Sequence, residues 1–591
     1  MKLDVKKTIR VGFAFAIIMA FWTAYDFVVP LLLENAFGLS HTMRGLIMGL
    51  DNLLSLFLLP VFGKISDKTK TKWGKRTPFI FIGTIISCIL MIFVPISAQR
   101  ALKDGTALRE QITNTEVENY SYTSSDGTVF ESKTAIYEFL YDKGSENSDY
   151  ADHEYMKKSG ITTKEHYLRI AKNPYTVFEN ENDLVGKDSV DKKGNKVVSS
   201  DYKNFVQAGI NNYASDEVGQ AAKTNHKASL AIYMIILLLV LISMAVFRSP
   251  AVALMPDVTP KPLRSQANAI INLAGGVGGA ISFLIYTVTL MINPTGFIAI
   301  FVAVACAMAL LLVGFMLLVN EKKMLKECAE ICAEYGITDN DEEEELVKAD
   351  GTLVSEAAAD PEKLKRAKFV SFILILASIF MWFMGYNAIV STLSIFLTKT
   401  LLVSPGWASI VSGISMGISA IAFIPVGMLA VKIGRRKSII LGFALAVLSF
   451  FLIFLFASAP GSASVYLFTV FYLIAGFGLI IANVNTFPMV VELSSAQDIG
   501  KYTGLYYTAT MSAQAITPFI AGLFMDKFGS KYLFLYSLVC VIVAIILMFF
   551  VKHGDSKPLP KKKKGEEDLE LAAATGAGNV VISAEGEDKN E

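Results

Sequence analysis

The sequence predicts an all-α membrane protein, with about twelve transmembrane helices in two pseudo-symmetric six-helix bundles and an external insert between helices three and four. Three observations predict it. Apolar runs of about 20 residues, each long enough for a spanning helix, recur along the chain. Lys and Arg concentrate in alternate short loops. The two halves of the chain echo each other across a polar connector. Composition agrees: 53% of the 591 residues are hydrophobic and 18% are charged, too little polar surface for a soluble exterior. The formal net charge of +1 is uninformative, because charge is segregated by topology.

The spans are read at 11–33, 43–62, 78–97, 228–248, 266–290, 296–319, 368–397, 405–429, 438–457, 464–487, 502–525 and 532–551. The first run exceeds a signal-peptide core and shows no small-residue cleavage site, so it reads as a retained first helix. Lys2, Lys6, Lys7 and Arg10 precede it. Lys64, Lys68, Lys70, Lys72, Lys75 and Arg76 join helices two and three, and Lys432, Arg435, Arg436 and Lys437 join eight and nine. The loops Asn293–Gly296 and Ser458–Ser464 carry no such charge, which predicts cytoplasmic termini. The organisation is then an N-terminal bundle (1–97 and 228–319), an extracytoplasmic insert (98–227), a cytoplasmic connector (320–367), a C-terminal bundle (368–551) and a cytoplasmic tail (552–591).

The insert is rich in Tyr, Asp, Glu, Lys and Asn, a composition that suits either a small domain or a mobile cap. It holds no cysteine and so no disulfide staple. Three of the five cysteines, Cys88, Cys306 and Cys540, lie in apolar runs. Cys328 and Cys332 share a face of a charged segment, Glu321–Tyr335, that reads as an amphipathic helix. With no His beside them, no metal site is expected, and no cofactor. In the tail, Lys561–Lys564 suits contact with anionic membrane lipids or a solvated, disordered segment.

Asp26 and Asp51 lie inside the first two spans. A carboxylate at bilayer depth costs about 2.5–3.5 kcal/mol even on the lenient insertion scale, so such residues usually face a wet cavity and carry protons, ions or substrate. At 1.5 Å per residue, Asp26 lies about 24 Å from Arg10 and Asp51 about 10 Å from Arg44, which puts both in the outer half, within reach of one chamber. They are the candidate proton-coupling pair. Trp22 and Tyr25 flank Asp26, and the seventh helix repeats the pattern with Trp382, Tyr386 and Asn387. Aromatic faces suit the apolar face of a sugar ring, and Asp or Asn its hydroxyls. With the amides Asn52, Asn483, Asn485 and Gln514, these form the candidate substrate-binding set. A lipid-facing position or core packing is the alternative for each Trp, and interhelical hydrogen bonding for each amide.

The strongest motif is Gly63-Lys-Ile-Ser-Asp67-Lys-Thr-Lys-Thr-Lys-Trp-Gly74-Lys75-Arg76-Thr-Pro78. Its glycines allow a tight turn. Asp67 can cap the neighbouring helix or pair with Lys75 or Arg76, a bond that one bundle arrangement makes and the other breaks. This loop resembles the signature between helices two and three of the major facilitator superfamily, and Gly427-Met-Leu-Ala-Val-Lys-Ile-Gly434-Arg435-Arg436-Lys437 resembles its second-half copy, with Val431 at the position of the acid. The expanded form through Thr77-Pro78-Phe79-Ile80 resembles the glycoside–pentoside–hexuronide cation symporters and the plant sucrose-transporter-like branch. So does Arg248-Ser-Pro-Ala-Val-Ala-Leu-Met-Pro256-Asp257, followed by Arg264.

The resemblance covers the helices but not the insert. It implies alternating access, with Gly63, Asp67, Gly74, Lys75, Arg76, Arg248, Asp257, Arg264, Gly434, Arg435 and Arg436 at a cytoplasmic gate. Arg248 admits two readings, an anchor at the membrane edge or a cavity-lining residue if the helix runs on through Ser249–Pro256. Gly522-Leu-Phe-Met-Asp526-Lys-Phe-Gly529 mimics the signature on the outside and reads as a helix–turn–helix packing device.

The resemblance implies symport of a sugar or glycoside. The paired acids of melibiose-type members are absent, since Ser55 and Leu59 stand near Pro60, so a proton is preferred to sodium as the coupling ion. No Walker-type loop is present, and an enzyme is not expected. Two alternatives stay open: a transporter of an amphipathic solute such as a lysolipid, steroid or drug, and a receptor that binds ligand through the insert. A small-molecule substrate, protons and membrane lipids are the expected partners, with no nucleic acid, and a bacterial inner membrane is the expected location.

Overall fold

A computed structural model describes residues 3–114, 120–191, 193–260, 263–334, 361–414, 434–458, 462–491, 493 and 499–554. Helix α1 (Val5–Phe37) is capped by Asp4, whose side chain accepts from the Lys7 amide at 3.0 Å, and ends at Gly38 with φ 51°. Helices α2 (His41–Lys68) and α3 (Thr77–Thr113) follow. The latter runs four turns past its expected end at 97 and carries the chain out of the apolar slab into the insert.

The insert holds α4 (Lys133–Lys143), α5 (His153–Lys158), α6 (Lys164–Lys172), a π-helical turn (Tyr202–Gln207) and α7 (Ala208–Asn225). Two short antiparallel hairpins pair Tyr122–Thr123 with Val129–Phe130 and Thr176–Val177 with Lys187–Asp188. Buried Tyr137, Leu140, Tyr167, Ile170, Phe205 and Tyr213 give it a hydrophobic cluster separate from that of the long helices. Its many aromatic residues, few of them in long runs, supply that core.

Helices α8 (Lys227–Asp257), α9 (Arg264–Ile292) and α10 (Phe297–Leu318) complete the first bundle, and α11 (Glu321–Glu334) is the amphipathic helix of the connector. Helix α8 continues through Ser249–Pro256, so Arg248 sits inside a helix rather than at its end. The second bundle holds α12 (Pro361–Ile395, continued by a π-helical turn Phe396–Thr400), α13 (405–414), α14 (Arg435–Phe456), α15 (Ser462–Val491), α16 (Ile499–Phe528) and α17 (Leu533–Phe550).

Among the described residues, ten helices are long and apolar enough to cross a membrane. The other two expected spans correspond to α16, which is long but more polar, and α13, whose continuation beyond 414 lies outside the described residues. The second-half signature from Gly427 to Ile433 and the lysine cluster of the tail also lie outside them.

Small residues set the helix spacing, as they do where lipid removes the hydrophobic drive between helices. A Cβ on Gly278 of α9 would collide with the Ala16 backbone of α1, and Gly442 of α14 faces Gly478 of α15. The bundles meet the same way. A Cβ on Gly45 of α2 would collide with the Pro518 carbonyl of α16, one on Gly49 with the Ala515 carbonyl, and one on Gly522 with the backbone of His41. These contacts occupy the end of α2 beside the insert. Towards the basic loop, Leu53, Phe57, Val61 and Ile65 of α2 are exposed. The bundles are therefore drawn together at one face, called the insert face, opposite the basic face that carries residues 64–76. Replacing Gly45 with Val is predicted to part these ends. A cysteine at Val390, in a background lacking the native cysteines, should then be labelled from the insert face by an impermeant thiol reagent. Labelling equal to that of the Gly45 parent would show that this approach is not the seal.

Candidate substrate cavity and its gates

Two adjoining cavities lie between the bundles. The larger, about 380 Å³, is walled by Trp22, Asp26, Phe27 and Tyr286 from one bundle and by Trp382, Tyr386, Tyr472 and Asn483 from the other. The smaller, about 200 Å³, holds Asp26, Asp51, Asn52 and Arg248 against Asn387 and Gln514. Both are lined by Met19, Trp22, Asp26 and Val390. Sites between helices of a bundle, mostly apolar with a few convergent polar groups, are the usual setting for small ligands.

The two acids reach this place from different helices. Asp51 is 8% exposed, and the Asn52 amide donates to its Oδ1 at 2.9 Å. The Arg248 guanidinium lies over the Trp22 ring, 5.3 Å from its centroid, on the wall of the same cavity. It lines the cavity and does not join the basic-face cluster with which the sequence grouped it, because α8 carries it nine residues in from Asp257.

Nine of the sequence candidates, Trp22, Asp26, Asp51, Asn52, Trp382, Tyr386, Asn387, Asn483 and Gln514, line one or both cavities. Tyr25 and Asn485 do not. Tyr25, 2% exposed, stacks on Phe21 inside the first bundle, because it sits about 100° round the helix from Asp26. Asn485, 3% exposed, donates to the Ile481 carbonyl at 2.7 Å, two residues and so about 200° round from Asn483.

On the basic face, Arg76 is buried and donates through Nε to Asp257 at 2.9 Å and through Nη2 to Asp67, while Lys75 pairs with Asp257 at 3.0 Å. The Gly63 carbonyl accepts from Ser66 at 2.8 Å. Glu321, which the sequence marks only as the start of an amphipathic helix, organises the turn. Its carboxylate, 1% exposed, accepts from the amides of Lys75 (2.7 Å), Arg76 (3.0 Å) and Thr77 (2.8 Å) and from the Thr77 hydroxyl (2.8 Å). It caps α3 from a helix 244 residues away. Gly74, at φ 122°, leaves the carboxylate room that a Cβ would take.

All these groups belong to the first bundle or its connector. Among the described residues, the second bundle adds no partner to the cluster. There Gly434 turns at φ 90°, and Arg436 donates to the Phe549 carbonyl at 2.6 Å, closing the end of α17. Arg435 begins α14. The side chain of Arg264 lies outside the described residues.

The insert face is closed by bonds that do cross between bundles. Asp526 does more than pack a helix–turn–helix: its two oxygens accept from the amides of His41 and Thr42, each at 2.8 Å, capping α2 from the other bundle. Ser530 bonds His41 at 2.8 Å. Buried Glu34 gathers Arg44, Arg109 (3.3 Å) and Lys399 of the second bundle (3.4 Å). The insert joins in. Ser215 accepts from Arg109 at 2.6 Å and from Lys399 at 3.2 Å, and Asp152 pairs with Lys531. In the same place burial pushes the Asp149 carboxyl above its ordinary range, against the opposing pull of His41.

Comparison with known proteins agrees with this architecture. Residues 372–584 match the family model described as Major Facilitator Superfamily, and residues 11–109 match one described as MFS/sugar transport protein. A D-xylose-proton symporter structure superposes with a TM-score of 0.51 at 14% identity, covering 93% of this chain and 99% of that one. A bacterial homologue of the iron transporter ferroportin, in an inward-facing state, gives 0.50 at 14%, covering 93% and 98%. In both of its halves, then, the chain resembles the major facilitator superfamily. Among curated proteins, a lactose permease of Lactobacillus helveticus is 42% identical over 60 residues, 10% of this chain and 9% of that one. Sucrose transport protein SUT1 of Oryza sativa subsp. japonica is 30% identical over 61 residues, 10% of this chain and 11% of that one. The match thus spans about a tenth of the length of these curated relatives.

Glu321→Ala strands three backbone donors at the start of α3, two of them buried. A destabilisation of about 1–3 kcal/mol is expected from such a loss, read as a lowered thermal midpoint in detergent. An unchanged midpoint would mean that water replaces the carboxylate without cost.

Proposed function

We propose that this protein is a secondary transporter that carries a sugar or glycoside together with a proton by alternating access. The observation that carries this reading is the convergence of Asp26, Asp51 and Arg248 on one cavity that also holds Asn52, Asn387, Gln514 and Trp22. Two carboxylates and one guanidinium sum to one negative charge. One added proton makes the set neutral, and a neutral set crosses a low-dielectric slab far more readily than a charged one. Asn and Gln amides supply donors and acceptors for hydroxyls, and the Trp22 ring an apolar face.

The closed insert face beside a central cavity fits one end state of an alternating cycle. The lysines and arginines of the basic face favour a cytoplasmic orientation for it, which puts the insert outside and both termini inside. A bacterial inner membrane suits this reading. The printed names of relatives include a xylose-proton symporter, a lactose permease and a sucrose transport protein, which supports a sugar cargo. Ser55 and Leu59 near Pro60 of α2 favour protons over sodium. The insert, bonded to Arg109 and Lys399 and to Lys531, is then a brace that steadies the closed outer side. The aromatic walls of the larger cavity favour one further reading, an amphipathic solute as cargo.

Asp26→Asn with Asp51→Asn should abolish sugar-driven alkalinisation in proteoliposomes, while equilibrium exchange of labelled sugar survives. Proton-linked accumulation that persists in the double variant would overturn the coupling. Competition by lysolipids and steroids but by no saccharide would favour the amphipathic cargo instead.

A further inference from the structure

The two lobes of the cavity differ in chemistry. The smaller carries the charge and most of the amides. The larger is walled by aromatic and aliphatic side chains, and its one ionisable carboxyl is Asp26, at the wall shared with the smaller lobe. Besides the Trp22 indole on the shared wall, two polar groups of the larger lobe stand out. The indole N–H of Trp382 and the hydroxyl of Ser394 are each buried, with both residues 2% exposed, and neither has a hydrogen-bond partner among the described residues.

A hydroxyl on a helix normally has an easy partner in the carbonyl one turn back. The neighbours of Ser394 on α12 take it: Ser391 donates to Asn387 at 2.8 Å, Thr392 to Ala388 at 2.5 Å, and Thr398 to Ser394 at 2.8 Å. Ser394 does not. A buried donor without a partner is costly, and a bound acceptor removes that cost. Twelve residues separate Trp382 from Ser394, so their backbones lie about 18 Å apart along the helix. The face between them carries Tyr386, Ile389, Val390 and Leu393, and the Trp382 and Tyr386 rings stack at 6.3 Å. One sugar ring is too short to touch both ends.

We propose that this lobe is a second subsite, in which Trp382 Nε1–H and Ser394 Oγ–H bind acceptor atoms of an uncharged ring unit joined to the sugar held by Asp51, Asn52 and Gln514. The inference rests on the sugar reading above and deepens it, since it makes Trp382 and Ser394 determinants of specificity for the second unit. The stacked aromatic pair takes the apolar face of that ring. Ser394 receives the far end, beneath the closure of the insert face.

The test is competition for sugar uptake by the full-length protein in proteoliposomes, with probes matched in their first sugar: methyl glycosides, phenyl glycosides and disaccharides of glucose and of galactose. Trp382→Phe keeps a ring and removes the N–H, and Ser394→Ala removes the hydroxyl. Each should weaken two-unit probes about five- to tenfold more than it weakens methyl glycosides. Ser394→Thr, which restores a hydroxyl, should recover part of the loss. Equal effects on one-unit and two-unit probes, or no effect on either, would overturn the subsite while leaving the sugar reading intact. Failure of every saccharide to compete, with thermal midpoints like the parent's, would bring down the sugar reading and the subsite together.

Discussion

Charge in a low-dielectric slab must be neutralised, hydrated or paired, and the rest of this molecule is arranged around three ionisable side chains that meet that demand in one place. Asp26, Asp51 and Arg248 come from three helices of the first bundle and share a cavity that the second bundle completes with Asn387 and Gln514. None of the three is sensible alone at that depth. Together they differ from neutrality by a single proton. In the proposed cycle that difference is the motor, because the free energy of rocking two bundles around the site depends on whether the site is charged.

The two faces of the bundle pair are built differently. At the insert face the backbones of α2 and α16 approach through Gly45, Gly49 and Gly522, and Asp526 reaches across to cap α2. Glu34 and Lys399 add a buried pair between bundles, which the insert supports through Ser215. At the basic face, among the described residues, the corresponding charges, Asp67, Arg76, Asp257 and Glu321, bind one another within the first bundle and its connector. A bundle that is stiff at one face and bonded across at the other can part at the crossing bonds and keep its internal shape. The insert, with its own hydrophobic cluster, touches both bundles at the face where they meet.

Much of the fold was legible because an apolar run of spanning length has few other uses. The cavity was legible in outline for a related reason: acids and amides inside such runs seldom face lipid. Errors came where helix phase or helix length decided the outcome. Tyr25 and Asn485 are close in sequence to cavity residues yet point elsewhere, since one or two residues turn a side chain 100° or 200° round the axis. Arg248 was ambiguous because nothing local marks where α8 ends. What could not be read were the bonds between distant segments: Glu321 under residues 75–77, Lys399 on Glu34, and Asp526 on His41. Each involves an ordinary polar residue near the end of a helix, and only the packing of bundles tells which distant partner it meets. The signature-like stretch Gly522–Gly529 does carry a signal, but its role is visible only with α2 packed against it.

The central claim is that one proton neutralises the set formed by Asp26, Asp51 and Arg248 and so licenses the movement of the bundles. The most direct measurement is the coupling ratio, obtained by opposing a sugar gradient with a known proton-motive force in proteoliposomes and finding the force at which net flux stops. One proton per sugar is the predicted result. A ratio of zero or of two, or a balance point that follows sodium in place of pH, would contradict it.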